Sequence, residues 1–207
     1  MFRLYSTPLS ANGRKALAVV HHLELAPEIV QVNVYKGEGR TREFLAVNPL
    51  GKIPALIDGD LTLWESNAIL IYLSEAHGGH RLWSREPKRR ADIARWLFWE
   101  SSQWQPALVP VLTPTVAALL FGTPPPAAVG WNDAGVEPML QFLESELQRR
   151  QYVAGDELTL ADFSVAGMMT YLRAAHFPFA DFAGIAAWYA RIEALPAWQA
   201  TAVEPWR

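Results

Sequence analysis

I-P-A-L-I-D-G-D-L-T-L-W, residues 53–64, sets two short apolar runs on either side of Asp58-Gly59-Asp60. An Asp-Gly step between alternating apolar residues is a hairpin signal, so the two runs are expected to pair antiparallel. Upstream, residues 2–5 read as a short strand, and Ala16, Val19, Val20 and Leu23 then recur at the helical spacing i, i+3, i+4, i+7. I-V-Q-V-N-V-Y (29–35) alternates as a strand, and R-T-R-E-F-L-A-V-N (40–48) reads as a short helix stopped by Pro49. Downstream, E-S-N-A-I-L-I-Y-L-S-E-A-H predicts a helix ended by Gly78-Gly79. The order is β-α-β-α-β-β-α, which makes residues 1–78 an α/β N-terminal domain with helices on the faces of one sheet.

From Leu82 onward the strand pattern stops and tryptophan, alanine and arginine dominate, so residues 79–86 are read as a linker and 87–207 as an all-α C-terminal domain. One helix is expected over 87–103, carrying Ile93, Trp96, Leu97 and Trp99. Another covers 136–147, with Val136, Leu140, Leu143 and Leu147 on one face. Two more cover 160–175 and 185–195, the last stopped by Pro196, and T-P-P-P-A-A-V-G (123–130) is a loop.

A chain of 207 residues that is 51% hydrophobic and 19% charged can bury a substantial core. Its formal net charge of −3 gives no general pull toward nucleic acid or anionic lipid, so neither is expected as a partner. With no cysteine, any thiol chemistry must use a thiol brought by a ligand. The N-terminus lacks the basic and apolar regions of a signal peptide, and no uninterrupted apolar stretch approaches membrane length; the expectation is a cytoplasmic protein with no membrane partner.

Three motifs bear on function. In N-P-L-G-K-I-P-A-L (48–56), Pro54 cannot donate to a sheet ladder, so it is either a strand-initiating or edge proline or part of a cis Ile53-Pro54 bond. The second case leaves the Ile53 N–H and C=O unpaired and available to an extended, peptide-like ligand. In W-E-S-N-A-I (64–69), Ser66 is the expected helix N-cap; a helix N-terminus with a hydroxyl binds a carboxylate, and Glu65 beside it can hold an ammonium, which suits an α-amino-acid end. T-L-A-D (159–162) is a structural capping box pairing Thr159 with Asp162. K-G-E-G-R-T-R (36–42) lacks the features of a phosphate loop, R-E-P-K-R-R (85–90) is a solvated or dimer-facing helix start, and His21-His22 point to different sides of a helix, so no metal is expected.

The order Y-S-T-P-L-S-A-N-G-R-K, F-L-A-V-N-P-L-G-K-I-P-A-L, L-W-E-S-N-A-I-L-I-Y-L and L-T-L-A-D-F-S-V-A resembles the cytosolic glutathione S-transferases over essentially the whole chain. The resemblance is to bacterial serine-type members, phi- or theta-like, with some nu-like character in the loop around Asn12. It implies a thioredoxin-like N-terminal domain, an all-helical C-terminal domain, a homodimer, and an enzyme that joins the thiolate of glutathione to a small apolar electrophile. It also implies Ile53 and Pro54 against the cysteinyl backbone of glutathione, Glu65 and Ser66 at its γ-glutamyl end, and Lys52 and Arg40 near its glycyl carboxylate, although Gly39 stands where many relatives carry Gln or His. Ser10 aligns with the thiol-activating serine, with Asn12 either a second thiol contact or a helix N-cap and Ser6 a weaker candidate. Leu9 and Trp104 are candidates for the apolar co-substrate site. A glutathione-dependent disulfide reductase and a non-catalytic binding module on the same fold stay open as alternatives.

A free thiol titrates near pH 8.5, and lowering that by about 2 units needs roughly 2.7 kcal/mol of preferential thiolate stabilisation. A hydrogen bond to a charged acceptor supplies about 1.5 to 3 kcal/mol and a helix N-terminus roughly 0.3 to 1. Ser10 is therefore expected to donate to sulfur as an intact hydroxyl rather than attack as a nucleophile.

Overall fold

The computed structural model describes residues 1–78, 80–124 and 126–203. Gly79 of the expected helix stop and Pro125 of the proline-rich loop lie outside the described residues. Four strands, β1 (Arg3–Ser6), β2 (Glu28–Gln31), β3 (Ala55–Asp58) and β4 (Leu61–Trp64), form one mixed sheet in the order β2-β1-β3-β4. β1 runs parallel to β2 and antiparallel to β3, which returns as β4. The register Asp58↔Leu61 leaves Gly59 and Asp60 as a two-residue turn, with Gly59 in the left-handed region at φ +60°. Helices α1 (Ala11–His22), α2 (Arg42–Leu45) and α3 (Ser66–Tyr72) complete the thioredoxin-like unit, and α3 continues as one wider turn over Leu73–His77.

β2 is shorter than the alternation over 29–35 predicts. The Asn33 side chain accepts from the backbone N–H groups of Tyr35 (3.1 Å) and Lys36 (3.2 Å), folding Val34–Lys36 into a single 3₁₀ turn. An asparagine offering its own acceptor competes with the sheet ladder, and here the local bonds win.

The remaining helices are α4 (Pro87–Trp99), α5 (Gln105–Phe121), α6 (Glu137–Leu147), α7 (Leu160–Met169), α8 (Ala183–Glu193) and α9 (Pro196–Gln199). α4 does not stop at 103. It passes through one π-type turn, Glu100–Trp104, into α5, which accepts Pro106 in its first turn and carries Pro110 and Pro114 inside. By length and composition this Pro87–Phe121 run, at hydropathy 1.4 over its most apolar window, is long enough to cross a membrane, although no uninterrupted apolar stretch signals it. Its inner side enters the core through Ile93, Trp96, Leu97, Leu108 and Leu112, while Phe98 and Phe121 stay exposed. α7 is shorter than the expected 160–175: beyond Met169 the chain tightens to i→i+3 bonds, Tyr171 N–H to Met168 and Leu172 N–H to Met169. Pro196, expected only to end a helix, also begins α9.

Thr159 and Asp162 form the expected capping box, the Thr159 N–H donating to Asp162 at 2.8 Å. The carboxylate does more than cap, because it also accepts from the Val153 N–H at 2.9 Å and the Trp188 indole at 3.0 Å, tying α7 to α8 and to the turn before it. Burial pushes the Asp162 carboxyl up to about 6, against the pull of those donors. An acid whose pKa is higher folded than unfolded binds a proton more tightly in the folded state, so its contribution to stability declines as pH rises from about 4 to about 6. Urea midpoints at pH 4 and pH 6.5 should show that decline in the native protein and a smaller one in Asp162→Asn.

Candidate functional site

Two cavities meet at the N-terminus of α1, and Asn12 and Gln105 line both. One, about 160 Å³, is polar and bounded by Lys52, Ile53, Pro54, Glu65, Ser66 and Glu100. The other, about 360 Å³, is apolar and bounded by Ser10, Tyr35, Val109, Val116, Phe121 and Tyr171.

The loop before α1 is held against its first turn by Gly13. A Cβ there would lie 2.3 Å from the Thr7 carbonyl oxygen and 2.8 Å from Ser6 Oγ, so only glycine permits the approach. Ser6 is fully buried and spends its hydroxyl on the Gly13 carbonyl at 3.1 Å, which takes it out of the site. Ser10, not Asn12, is the N-cap of α1: its Oγ accepts from the Gly13 N–H at 3.3 Å. That bond uses a lone pair, and among the described residues no acceptor takes the Ser10 proton. Asn12 sits inside the first turn and accepts from the Ser66 hydroxyl at 3.3 Å, joining α1 to α3.

The Ile53–Pro54 peptide is cis, and the β3 ladder begins only at Ala55, so the Ile53 peptide lies outside it at the polar cavity. Ser66 is the first residue of α3 and not its cap; the cap position belongs to Glu65, which makes no capping bond with its side chain and has φ of +75°. A left-handed glutamate costs of order 1–3 kcal/mol, and such residues persist where a site needs their geometry. Lys52 is exposed at the rim, its carbonyl accepting from Asn48 at 2.6 Å. Arg40 is exposed and lines neither cavity; its guanidinium lies 3.5 Å from where a Gly51 Cβ would be. A Cβ on Gly39 would lie 2.4 Å from the Gly51 carbonyl oxygen, so this loop has no room for Gln or His there.

The two apolar candidates fall elsewhere. Trp104 is fully buried, stacked on Trp99, with its indole N–H on the Val165 carbonyl at 3.2 Å, and it is a core residue. Leu9 is half-buried against the core and offers its carbonyl to the Tyr171 hydroxyl at 3.2 Å, outside the cavity lining.

Sequence reasoning missed a buried charge pair behind the polar cavity. Lys15 Nζ lies 2.9 Å from Glu100 Oε2, with both side chains almost wholly buried. Asn67 donates to the same oxygen at 3.0 Å, and the Ser164 hydroxyl lies 2.7 Å from Asn67 Oδ1 and 3.1 Å from Glu100 Oε2. A lysine one position before Ala16, in the middle of the apolar stripe of α1, was the signal available for it. Among the described residues no group of three or more His, Cys, Asp or Glu side chains could hold a metal ion.

Comparison with known proteins gives matches over the whole of this architecture. Residues 1–75 match the family model "Glutathione S-transferase, N-terminal domain", and residues 115–196 match "Glutathione S-transferase, C-terminal domain". A relative from Oryza sativa, "Probable glutathione S-transferase GSTF2", is 35% identical over 97% of this chain and 95% of its own. The crystal structure of glutathione transferase F7 from Populus trichocarpa superposes with a TM-score of 0.85 at 31% identity, covering 98% of each chain. A glutathione S-transferase-I solved with lactoylglutathione bound superposes equally well, TM-score 0.85 at 28% identity, over 97% of this chain and 98% of that one.

Proposed function

The chain belongs to the glutathione S-transferase family and is a glutathione transferase, and we propose that Ser10 is the residue that prepares the thiol. The observation that carries this reading is the Ser10 hydroxyl itself: its lone pair takes the Gly13 N–H while its proton has no acceptor among the described residues, at an apolar cavity that borders a polar one. A hydroxyl so held donates to a thiolate at the positive end of α1, and donor and dipole together favour the ionised sulfur. Glutathione lies in the polar cavity, with the Ile53 peptide along its cysteinyl backbone, Glu65 and Ser66 at its γ-glutamyl end, and Lys52 toward its glycyl carboxylate. Arg40 stands further out, as a long-range attraction for that carboxylate. Asn12 acts through its bond to Ser66, fixing the wall between the two cavities. The solved relative with lactoylglutathione bound supports a site that takes glutathione with a substituent on sulfur.

The apolar cavity then takes the electrophile, which the thiolate attacks at carbon. The enzyme is a serine-type member near the phi class, supported by the plant relatives, with domain limits of 1–78 and 87–207 around a linker at 79–86. It works in the cytoplasm as a homodimer, and the exposed Phe98 of α4 supports a self-association face. No metal takes part in this scheme. A panel with glutathione tests the reading: benzyl chloride should be conjugated at a rate well above that without protein. Reduction of 2-hydroxyethyl disulfide faster than any conjugation would overturn transfer to carbon as the main activity.

A further inference from the structure

Arg14 is a second buried cation on α1, and it is placed unlike Lys15. Only 5% of it is exposed, yet among the described residues no carboxylate pairs with its guanidinium. Its hydrogen bonds run to neutral oxygens: Nε to the Thr201 hydroxyl at 3.2 Å, one terminal nitrogen to the Thr170 hydroxyl at 3.4 Å, and the other to the Trp198 carbonyl at 3.2 Å. The guanidinium also lies over the Trp198 ring, 4.1 Å from its centroid. Burial lowers the Arg14 pKa from its ordinary value, while Tyr189, Glu193 and Tyr171 pull the other way. Glu193 is already engaged, because Arg173 donates to both of its oxygens, with Nε at 2.6 Å from the first. A buried charge with only neutral partners is costly, and an anion beside it removes that cost.

Arg14 lines a third cavity, of about 270 Å³, where α1, α8 and α9 meet. Arg173 and Glu193 also line it and cancel each other, so Arg14 leaves this cavity one net positive charge. The rings of Tyr189 and Trp198 and the side chains of Ala202 and Val203 make most of the remaining wall apolar. None of its lining residues lines either cavity beside Ser10. We propose that this cavity is a separate ligand site for a small aromatic carboxylate, with the carboxylate on Arg14 and the ring against Ala202 and Val203. Arginine suits the charged end, since its planar, fixed donors match a carboxylate better than a point charge does. An inorganic anion would satisfy Arg14 but leave the apolar wall against water, whereas a ring covers it. The volume lies just under the range of about 300–1,000 Å³ usual for ligand pockets, which limits the ligand to one or two rings. Because the lining is separate, the carboxylate binds alongside glutathione and does not compete with it.

Calorimetric titration with 2-naphthoate tests this, with and without saturating S-benzylglutathione to fill the cavities beside Ser10. The native protein should bind one naphthoate per chain under both conditions, and the neutral 2-naphthamide about 10-fold or more weakly. Arg14→Met should weaken naphthoate by about 10- to 100-fold and leave the amide nearly unchanged. Ala202→Trp fills the cavity and leaves the three Arg14 bonds in place, so it should abolish naphthoate binding while conjugation of benzyl chloride continues at the native rate. That second variant keeps the outcome readable if Arg14→Met fails to fold. Absence of naphthoate binding to the native protein, equal affinity for the amide, or binding unchanged in Ala202→Trp overturns the site. Binding lost when S-benzylglutathione is present overturns it as well and assigns the naphthoate to the cavities beside Ser10. Binding seen only in a chain cut after Val203 overturns it in favour of residues 204–207 as the occupant.

Discussion

Ser10→Ala is expected to lower kcat/KM for conjugation of benzyl chloride by roughly 10- to 150-fold while the glutathione Kd moves only a few-fold. The magnitude follows from the hydrogen bond that is lost, because a donor to a charged acceptor contributes about 1.5 to 3 kcal/mol and each 1.36 kcal/mol is a factor of ten. The removed interaction exists with the thiolate and is weak with the thiol, so the loss appears in the ionisation of bound glutathione. That places the diagnostic in the pH profile. In the native enzyme kcat/KM should level off well below pH 8, whereas in Ser10→Ala it should keep rising toward the ordinary thiol value near 8.5. The substitution also removes the α1 N-cap, whose bond to Gly13 at 3.3 Å contributes about 1 kcal/mol to stability. Ser10→Thr restores a cap and a donor, and recovery of the low-pH plateau in that variant separates thiol activation from helix capping. A Ser10→Ala profile that superposes on the native one after scaling would remove the residue from the role.

The element order could be read from the chain because its signals were local: an Asp-Gly turn between alternating runs, a period of 3.6 in α1, a capping box at Thr159. Misreadings arose where a local rule met a competing one. The helix expected to end at 103 runs on to Phe121, because the π-type turn at Glu100–Trp104 sets Pro106 in a first turn where its missing N–H costs nothing. Asn33 ended β2 early through a side chain that a β-propensity pattern does not weigh. The expected 160–175 helix ends at Met169, and the tighter bonds that follow carry Tyr171 to the N-terminus of α1. The residues lining the polar cavity were visible as motifs because they lie close together in sequence, at 52–54 and 65–66. Those lining the apolar cavity were not, since Tyr35, Val109, Phe121 and Tyr171 are brought together only by the fold. Trp104 was expected on that wall from the family resemblance, but the stack on Trp99 and the bond to Val165 draw it into the core.

Replacing Lys15 by methionine should cost about 3–5 kcal/mol, because it leaves the Glu100 carboxylate buried with no cation. At 2–4 °C per kcal/mol for a chain of this size, the melting midpoint should fall by roughly 6–20 °C. The site amplifies the loss. Glu100 Oε1 has no hydrogen-bond partner among the described residues, so the Lys15 ammonium on Oε2 is the main compensation for a carboxylate that is about 1% exposed. Glu100→Gln creates the converse problem, a buried ammonium left with neutral acceptors, and should be destabilising to a comparable degree. The double variant Lys15→Met with Glu100→Gln removes both charges and keeps the side-chain lengths, so it should be distinctly more stable than the sum of the single losses predicts, by about 2 kcal/mol or more. Simple additivity would mean that the pair is solvated in solution and contributes little. The pair also joins the two domains, Lys15 from α1 on one side and the turn after α4 on the other, with Asn67 of α3 and Ser164 of α7 on the same oxygen. Since Asn67 and Glu100 both line the polar cavity, loosening this junction should raise the glutathione KM in either single variant, even at temperatures where the protein stays folded. If the double variant regains stability while its glutathione KM remains high, the charge pair serves the shape of the site more than the stability of the fold.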